Sequence, residues 1–319
     1  MKGLADEPNH MIELLEGGTT LEDVIDGHVY EQALADKSVF VVSDLGSLMR
    51  QHVQWQRTMP QIRPFYPVKS NSSPAVIEIL ASLGLGFICA NKAAETSMAF
   101  GCSLKSCRRL LEAAKDLGLQ VVGATFHIPS SCKDLQAYSN ALSDAHCVFD
   151  MGVIAQPGSY YVSSAFTLAV NVIGKKVVAR DWSCQAQDEL TPDDEPEFLY
   201  YLNDGVYGSF SSKLLGSTIP APAVHKRGST AAEPVFSSSL WGPSCDGLDQ
   251  VLEHCLLPEL SPGDWLVFNN MGAAGLGGPS AIRPAVYHTV STADWYNMQE
   301  AGIAVDNIMK NFSMIHYGA

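Results

Sequence analysis

The sequence predicts an α/β part followed by a mainly β part, on three observations. Its 319 residues are 46% hydrophobic, enough for two domains that each bury a core. Residues 38 to about 128 alternate short β-rich runs with helical patterns, the signature of β-α units. From about residue 160 the texture changes to β-branched and aromatic runs separated by Gly, Pro and Asn turns, which reads as a separate β domain.

In the first part, residues 38–42 (Ser-Val-Phe-Val-Val) are a β-rich apolar run, followed from Asp44 to about Gln56 by helical spacing at Leu45, Leu48 and His52. Pro64-Phe65-Tyr66-Pro67-Val68 reads as a short strand ending at Lys69. The turn Ser70-Asn71-Ser72 leads to Ser73-Pro74, a helix N-cap with proline in the first helical position. Val76, Ile77, Leu80 and Leu83 fall on one face of that helix, Gly84 and Gly86 stop it, and residues 86–90 supply another strand. Ser103 caps a further helix with Leu104, Cys107, Leu110, Leu111 and Ala114 inward, and residues 119–128 form a strand that closes on His127.

In the second part the strand-like runs are residues 160–172, 198–207, 238–241 and 265–269, interrupted by an acidic loop at 188–197 and a polar one at 226–233. No constant-period repeat is present.

Composition limits the partners. Thirty-four acidic against twenty basic residues give a net charge of −14, which opposes binding to nucleic acid or to anionic membrane surfaces and suits a basic partner. The N-terminus shows no apolar signal region, and no apolar run approaches the roughly 18 residues that span a bilayer. The expectation is a cytoplasmic protein, with the nucleus as a second compartment. The eight cysteines are scattered, without a CxxC pair or zinc-type spacing, so no metal site is expected and the thiols read as reduced.

Several residues could carry chemistry. Lys69, at the C-terminal end of a strand in an α/β unit and flanked by Asn71 and serines, is either a Schiff-base lysine or an ordinary strand-end lysine. His127, followed by Pro129-Ser130-Ser131, could stack on a cofactor ring while the hydroxyls meet a phosphate, or be a satisfied core histidine. Trp241 to Gly247 places Cys245 beside Asp246 in a tight turn. That pair suits a proton donor next to an amine-recognising acid, or it is turn chemistry with a packed thiol. Asp204, in Asn203-Asp204-Gly205, either caps its own backbone or faces a substrate ammonium. Gly275-Leu276-Gly277-Gly278 does not sit between a strand and a helix and is rejected as a phosphate loop.

Taken together, residues 64–71, 158–165, 203–210 and 241–246 resemble, in order and spacing, the eukaryotic ornithine decarboxylase and antizyme inhibitor family. Met1-Lys2-Gly3, Val29-Tyr30-Glu31, Gln54-Trp55-Gln56 and Asp294-Trp295-Tyr296 are similar to its non-catalytic members. The resemblance implies a pyridoxal-phosphate-binding (β/α)8 barrel followed by a β domain that also takes in the N-terminal strand. The implied segments are 1–37 joining the β domain, 38–160 as an incomplete barrel, and 161–319 as the β domain. It implies that Lys69 corresponds to the Schiff-base lysine, His127 to the ring-stacking histidine and Cys245 to the catalytic thiol. Ser130 and Gly158 fall among the cofactor-binding positions, and Asp204 and Asp246 match the acids that meet the substrate's distal amine.

Other family positions are changed. The Glu-Pro-Gly-Arg of the family reads Gln156-Pro157-Gly158-Ser159. Gln156 carries no charge to keep a pyridine nitrogen protonated, and Ser159 cannot reproduce an arginine's bidentate hold on phosphate. The strand aspartate is Ile88, and a tyrosine near the cofactor phosphate is Ala274. The Gly-Gly-Gly phosphate loop is skipped between about Gly152 and Ile154, and a second block is skipped after about Glu95. The flanks of both gaps are intact rather than eroded, the pattern left by alternative splicing or an incomplete transcript. A half barrel would leave open sheet edges and an uncovered apolar face.

The resemblance therefore implies a catalytically inactive regulatory protein that binds ornithine decarboxylase antizyme and promotes polyamine synthesis, with no bound cofactor. The family's antizyme-contacting surface lies mainly in the block missing after Glu95. The alternative is a pyridoxal-phosphate-dependent decarboxylase that makes putrescine from ornithine, a homodimer if it is enzyme-like.

Overall fold

The computed structural model describes residues 10–33, 37–88, 108, 111–112, 115–116, 128, 132, 134–148, 154–178, 196–225, 234–273, 284–300 and 312–317. The first stretch runs β1 (His10–Leu15), α1 (Leu21–Ala33), β2 (Phe40–Asp44), α2 (Gly46–Thr58), β3 (Arg63–Pro67), α3 (Pro74–Ser82) and β4 (Gly86–Ile88). Then come α4 (Leu135–Val148), β5 (Ile154–Ala155) and α5 (Gly158–Val162). The remainder is β6 (Phe166–Val178), β7 (Glu197–Leu202), β8 (Ala223–His225), β9 (Val235–Trp241), β10 (Gln250–Pro258), β11 (Trp265–Phe268), β12 (Ala285–Ser291), α6 (Thr292–Glu300) and β13 (Phe312–Tyr317).

Ten of these strands form one sheet, ordered β10-β9-β7-β6-β2-β12-β1-β13, with β11 pairing both β6 and β8. The long strand β6 joins its two regions. Residues 166–171 lie between β2 and β11, and beyond a register shift at Val172/Gly174 the strand pairs with β7. Residues 166–172 are all buried, which requires both faces of the strand to be covered. Alternation of side chains across the sheet sends Phe166, Leu168 and Val170 into the main core and Ala169 into a second cluster. The same alternation in β2 sends Val39 and Val41 one way and Phe40 and Val42 the other. The second cluster is closed by Val24 and Ile25 of α1 over Phe40, Val42, Trp265 and Val267.

Three more strands, β4-β3-β5, form a parallel sheet, with α3 between β3 and β4. The helices of this part follow the sequence closely. Leu45, Leu48 and His52 are buried beside α2 as their spacing predicts, and α3 starts at Pro74 after Ser73. Ser73 makes no side-chain cap; its backbone N–H donates instead to Asn71 Oδ1 at 3.0 Å. The buried face of α3 is Ala75, Val76, Ile79 and Leu80, so Ile79 takes the place expected for Ile77.

Three expectations are corrected. The run 38–42 does not open the α/β part: β2 pairs parallel with β12 and antiparallel with β6, so the expected start of that part at residue 38 moves beyond Asp44. Local pattern fixes a strand but not its partners, and both strands that pair with β2 lie far along the chain. The run predicted from residue 160 begins as helix, with α5 and a 3-10 turn at Ser163–Ala165 preceding β6. Packing overrides β propensity there, because Tyr161 bonds His52 Nδ1 at 3.0 Å and Tyr160 meets Trp55 edge-to-face. The predicted strand 198–207 ends at Leu202, and residues 203–210 form a loop. The predicted helix at 104–114 and the strand at 119–128 lie largely outside the described residues.

Phe40 is fully buried against Trp265, Tyr287 and His28. Phe40→Ala is expected to cost about 3–5 kcal/mol in unfolding free energy by denaturant titration.

Candidate functional site

Parallel pairing of β7 with β9, in register at Tyr201↔Trp241, makes the two chains leave the sheet side by side. The loop 203–210 and the loop 242–249 therefore meet at one end of it. Their link is Asp249, which is 1% exposed. Its Oδ1 accepts the Val206 N–H at 2.8 Å and its Oδ2 accepts the Ser244 N–H at 3.0 Å. Its backbone oxygen accepts the Gly242 N–H at 2.7 Å. A Cβ on Gly205 would lie 2.2 Å from Asp249 Oδ1, and one on Gly242 2.3 Å from it. Two glycines thus make room for one carboxylate.

Asp204 sits in the first of these loops. Its Oδ1 accepts the N–H groups of Gly205 at 2.8 Å and Ser209 at 3.2 Å, so its carboxylate is engaged by its own loop. Burial pushes its pKa up, against the pull of these amides. Asp246 is exposed, accepts the Leu248 N–H at 2.9 Å and takes a hydrogen bond from the Tyr207 hydroxyl. The Tyr207 bond, with the Leu248 amide, holds the Asp246 carboxyl below the usual range. Cys245 is exposed on the same loop. The structure thus brings Asp204, Cys245 and Asp246 into one loop cluster. Sequence reasoning missed Tyr207 and Asp249, and the only signal was an aspartate whose neighbours across the cluster are glycines.

Lys69 is exposed in a 3-10 turn at Val68–Ser70, directly after β3, and has no ion-pair partner among the described residues. The turn is gripped from two sides. A Cβ on Gly158 would stand 2.0 Å from Ser70 Oγ and 2.8 Å from Pro67 Cγ. Asn71 Nδ2 donates to the Gly272 carbonyl at 3.0 Å, while a Cβ on Gly272 would lie 1.7 Å from the Val162 carbonyl oxygen. Lys69 and Gly158 are therefore neighbours. His127, Ser130 and Ala274 lie outside the described residues.

The described residues around Lys69 do not fit pyridoxal phosphate. Ser70 packs directly against Gly158. Gln156 is exposed and uncharged, and Ile88 presents a hydrocarbon, so neither supplies an acid for a ring nitrogen. A shallow cavity of about 270 Å³ opens between the end of α2 and β3, lined by His52, Trp55, Met59, Arg63 and Leu83, and none of the expected site residues lines it. Among the described residues no three His, Cys, Asp or Glu side chains gather as a metal site, and no helix is long and apolar enough to cross a membrane.

Comparison with known proteins follows the same lines. The family model described as pyridoxal-dependent decarboxylase, C-terminal sheet domain, matches residues 29–272. Antizyme inhibitor 1 of Rattus norvegicus is 42% identical over 431 aligned positions, spanning 98% of this chain and 96% of that protein. The alignment is longer than the chain, so the relative carries stretches that this chain lacks. Ornithine decarboxylase of Rattus norvegicus is 31% identical over 410 positions, spanning 90% of this chain and 88% of that protein. In structure the chain is similar to the arginine decarboxylase of Paramecium bursaria Chlorella virus, with a TM-score of 0.68 at 18% identity, covering 84% of this chain and 100% of that one.

Asp249→Ala is expected to leave the buried Val206 amide and the part-buried Ser244 amide without their acceptor and cost about 3 kcal/mol. Asp249→Asn, which retains one acceptor oxygen, is expected to cost less. Chemical denaturation of both variants checks the order.

Proposed function

Because this chain belongs to the pyridoxal-dependent decarboxylase family, we propose that it works as an antizyme-inhibitor-like regulatory protein. It binds ornithine decarboxylase antizyme, spares ornithine decarboxylase from antizyme-directed degradation and so raises polyamine synthesis, without catalysing decarboxylation itself. The observation that carries this reading is the higher identity to antizyme inhibitor 1, 42% against 31% for ornithine decarboxylase. The net charge of −14 suits a partner with a basic surface.

The site supports the inactive reading on physical grounds. Pyridoxal phosphate, when bound, supplies an electron sink for carbanion chemistry, and a protein must anchor its phosphate and charge its ring nitrogen. Gln156 supplies no charge, Ser159 no guanidinium, and Ser70 packs directly against Gly158. In this proposal Lys69 and Cys245 are vestiges of a catalytic pair. His127, Ser130 and Gly158 keep cofactor-binding positions without a cofactor, and Asp204 and Asp246 now stabilise their own loops. The protein acts in the cytoplasm and needs no homodimer.

A decarboxylase acting on ornithine is the second reading, favoured by the retention of Lys69, Cys245, Asp204 and Asp246. The two readings separate in two measurements. In competition with ornithine decarboxylase, the folded chain is expected to displace the enzyme from antizyme; no displacement by a monodisperse sample would overturn the regulatory role. On addition of pyridoxal phosphate, no absorbance band that depends on Lys69 is expected. A band lost in Lys69→Ala would revive the decarboxylase reading.

A further inference from the structure

The docking of α1 depends on few apolar groups. Among the described apolar residues of this helix, Val24 and Ile25 are fully buried and Leu21 and Val29 partly so. The residue beside them is His28, 6% exposed, stacked on Tyr287 of β12 with ring centroids 3.6 Å apart and planes 19° apart, and edge-on to Phe40. Its two nitrogens face two carboxylates on different elements. Nδ1 is 3.1 Å from Glu31 Oε2 on α1, and Nε2 is 3.6 Å from Glu13 Oε1 on β1. Glu13 Oε2 and His28 Nε2 are buried without a hydrogen-bond partner. A second pair ties the same helix to the edge of the sheet: His225 Nε2 of β8 stands 2.7 Å from Asp26 Oδ1.

A neutral His28 would leave the Glu13 carboxylate facing a buried ring with nothing to balance its charge, a costly arrangement. An imidazolium balances it and bridges β1 to α1. Burial opposes that charge, but the Glu13 and Glu31 carboxylates outweigh it, so the His28 pKa lies above the ordinary value of 6.5. From β12 the facing titratable group is the Tyr287 phenol, whose pKa is raised by burial and by Glu31 and Glu13, so it stays neutral beside the ring.

We propose that α1 is a pH-operated latch, in which protonated His28 clamps the helix to Glu13 of β1, and whose release loosens α1 from the apolar face of Phe40, Val42, Trp265 and Val267. The sign follows from linkage. The histidine binds its proton more tightly folded than unfolded, so its stabilisation is complete below the unfolded value near 6.5 and disappears as pH rises through the folded value. The latch therefore holds in mildly acid conditions and weakens in alkali, in the range where histidine switches operate.

The test uses the full chain. Titration of the His28 ring in the wild-type protein by NMR is expected to give a midpoint above 6.5, and a midpoint at or below that value would overturn the proposal. Hydrogen exchange of the α1 amides, corrected for intrinsic rates, is expected to show opening severalfold more frequent at pH 8.5 than at pH 6. That pH response should shrink in His28→Gln, which cannot titrate; an unchanged response would also overturn the proposal. If His28→Gln does not fold, Glu13→Gln removes the same clamp and is expected to lower the His28 midpoint, while an unmoved midpoint counts against the latch.

Discussion

The need to cover both faces of β6 and β2 governs this architecture. Strands that bury side chains on both sides belong to sheets sandwiched between other layers, and the chain meets that demand by different means on each face. One face receives the main core, to which α2, α3, α5 and the strands of the C-terminal half contribute. The other receives α1, a helix with few fully buried apolar side chains. Arg50 adds a polar tie, reaching from α2 to Asp44 at the end of β2 and to Asp294 in α6. Gly46 lets that approach happen, since a Cβ there would overlap the Asp294 carboxylate.

Much of the local structure was legible in the sequence because local structure is set by periodicity and turn chemistry. Ser73-Pro74 marks the start of α3 and Gly84, at a φ of 80°, marks its end. Lys69 follows a strand, which ends at Pro67, one residue earlier than read. What could not be read was pairing. Nothing in Ser38-Val39-Phe40-Val41-Val42 says that its neighbours are residues 285–289 and 166–169. The strands β10, β12 and β13 went unforeseen, as did α4 and α6. In β10 two register shifts against β9 and a mixture of exposed Glu253, His254 and Leu256 obscure any alternation.

The candidate site divides along the same line. Residues flagged by type, such as Lys69, Asp204, Cys245 and Asp246, stand where turns place them. Their relations to one another depend on Asp249 and on the parallel register of β7 with β9, neither of which leaves a mark in the sequence. The contrast between Asp204 and Asp246 is instructive. Two aspartates in similar Asp-Gly turns are pushed in opposite directions, one up by burial and the other down by a tyrosine hydroxyl. Residue type and turn motif are identical; the environment decides the proton affinity.

The position of β1 bears on how the protein is made. It is clasped between β12 and β13, pairing with residues 288–291 on one side and 312–317 on the other. A ribosome delivers β1 well before its partners, and at about 5–20 residues per second the strand waits roughly a quarter of a minute to a minute for either neighbour. Until they emerge its ladder groups have no native partner, although Leu15 already has Val24, Ile25 and Phe40 to pack against. This part of the sheet closes only after residue 317 has been made, so the pairing of β1 is a late event in folding that joins segments far apart in the chain.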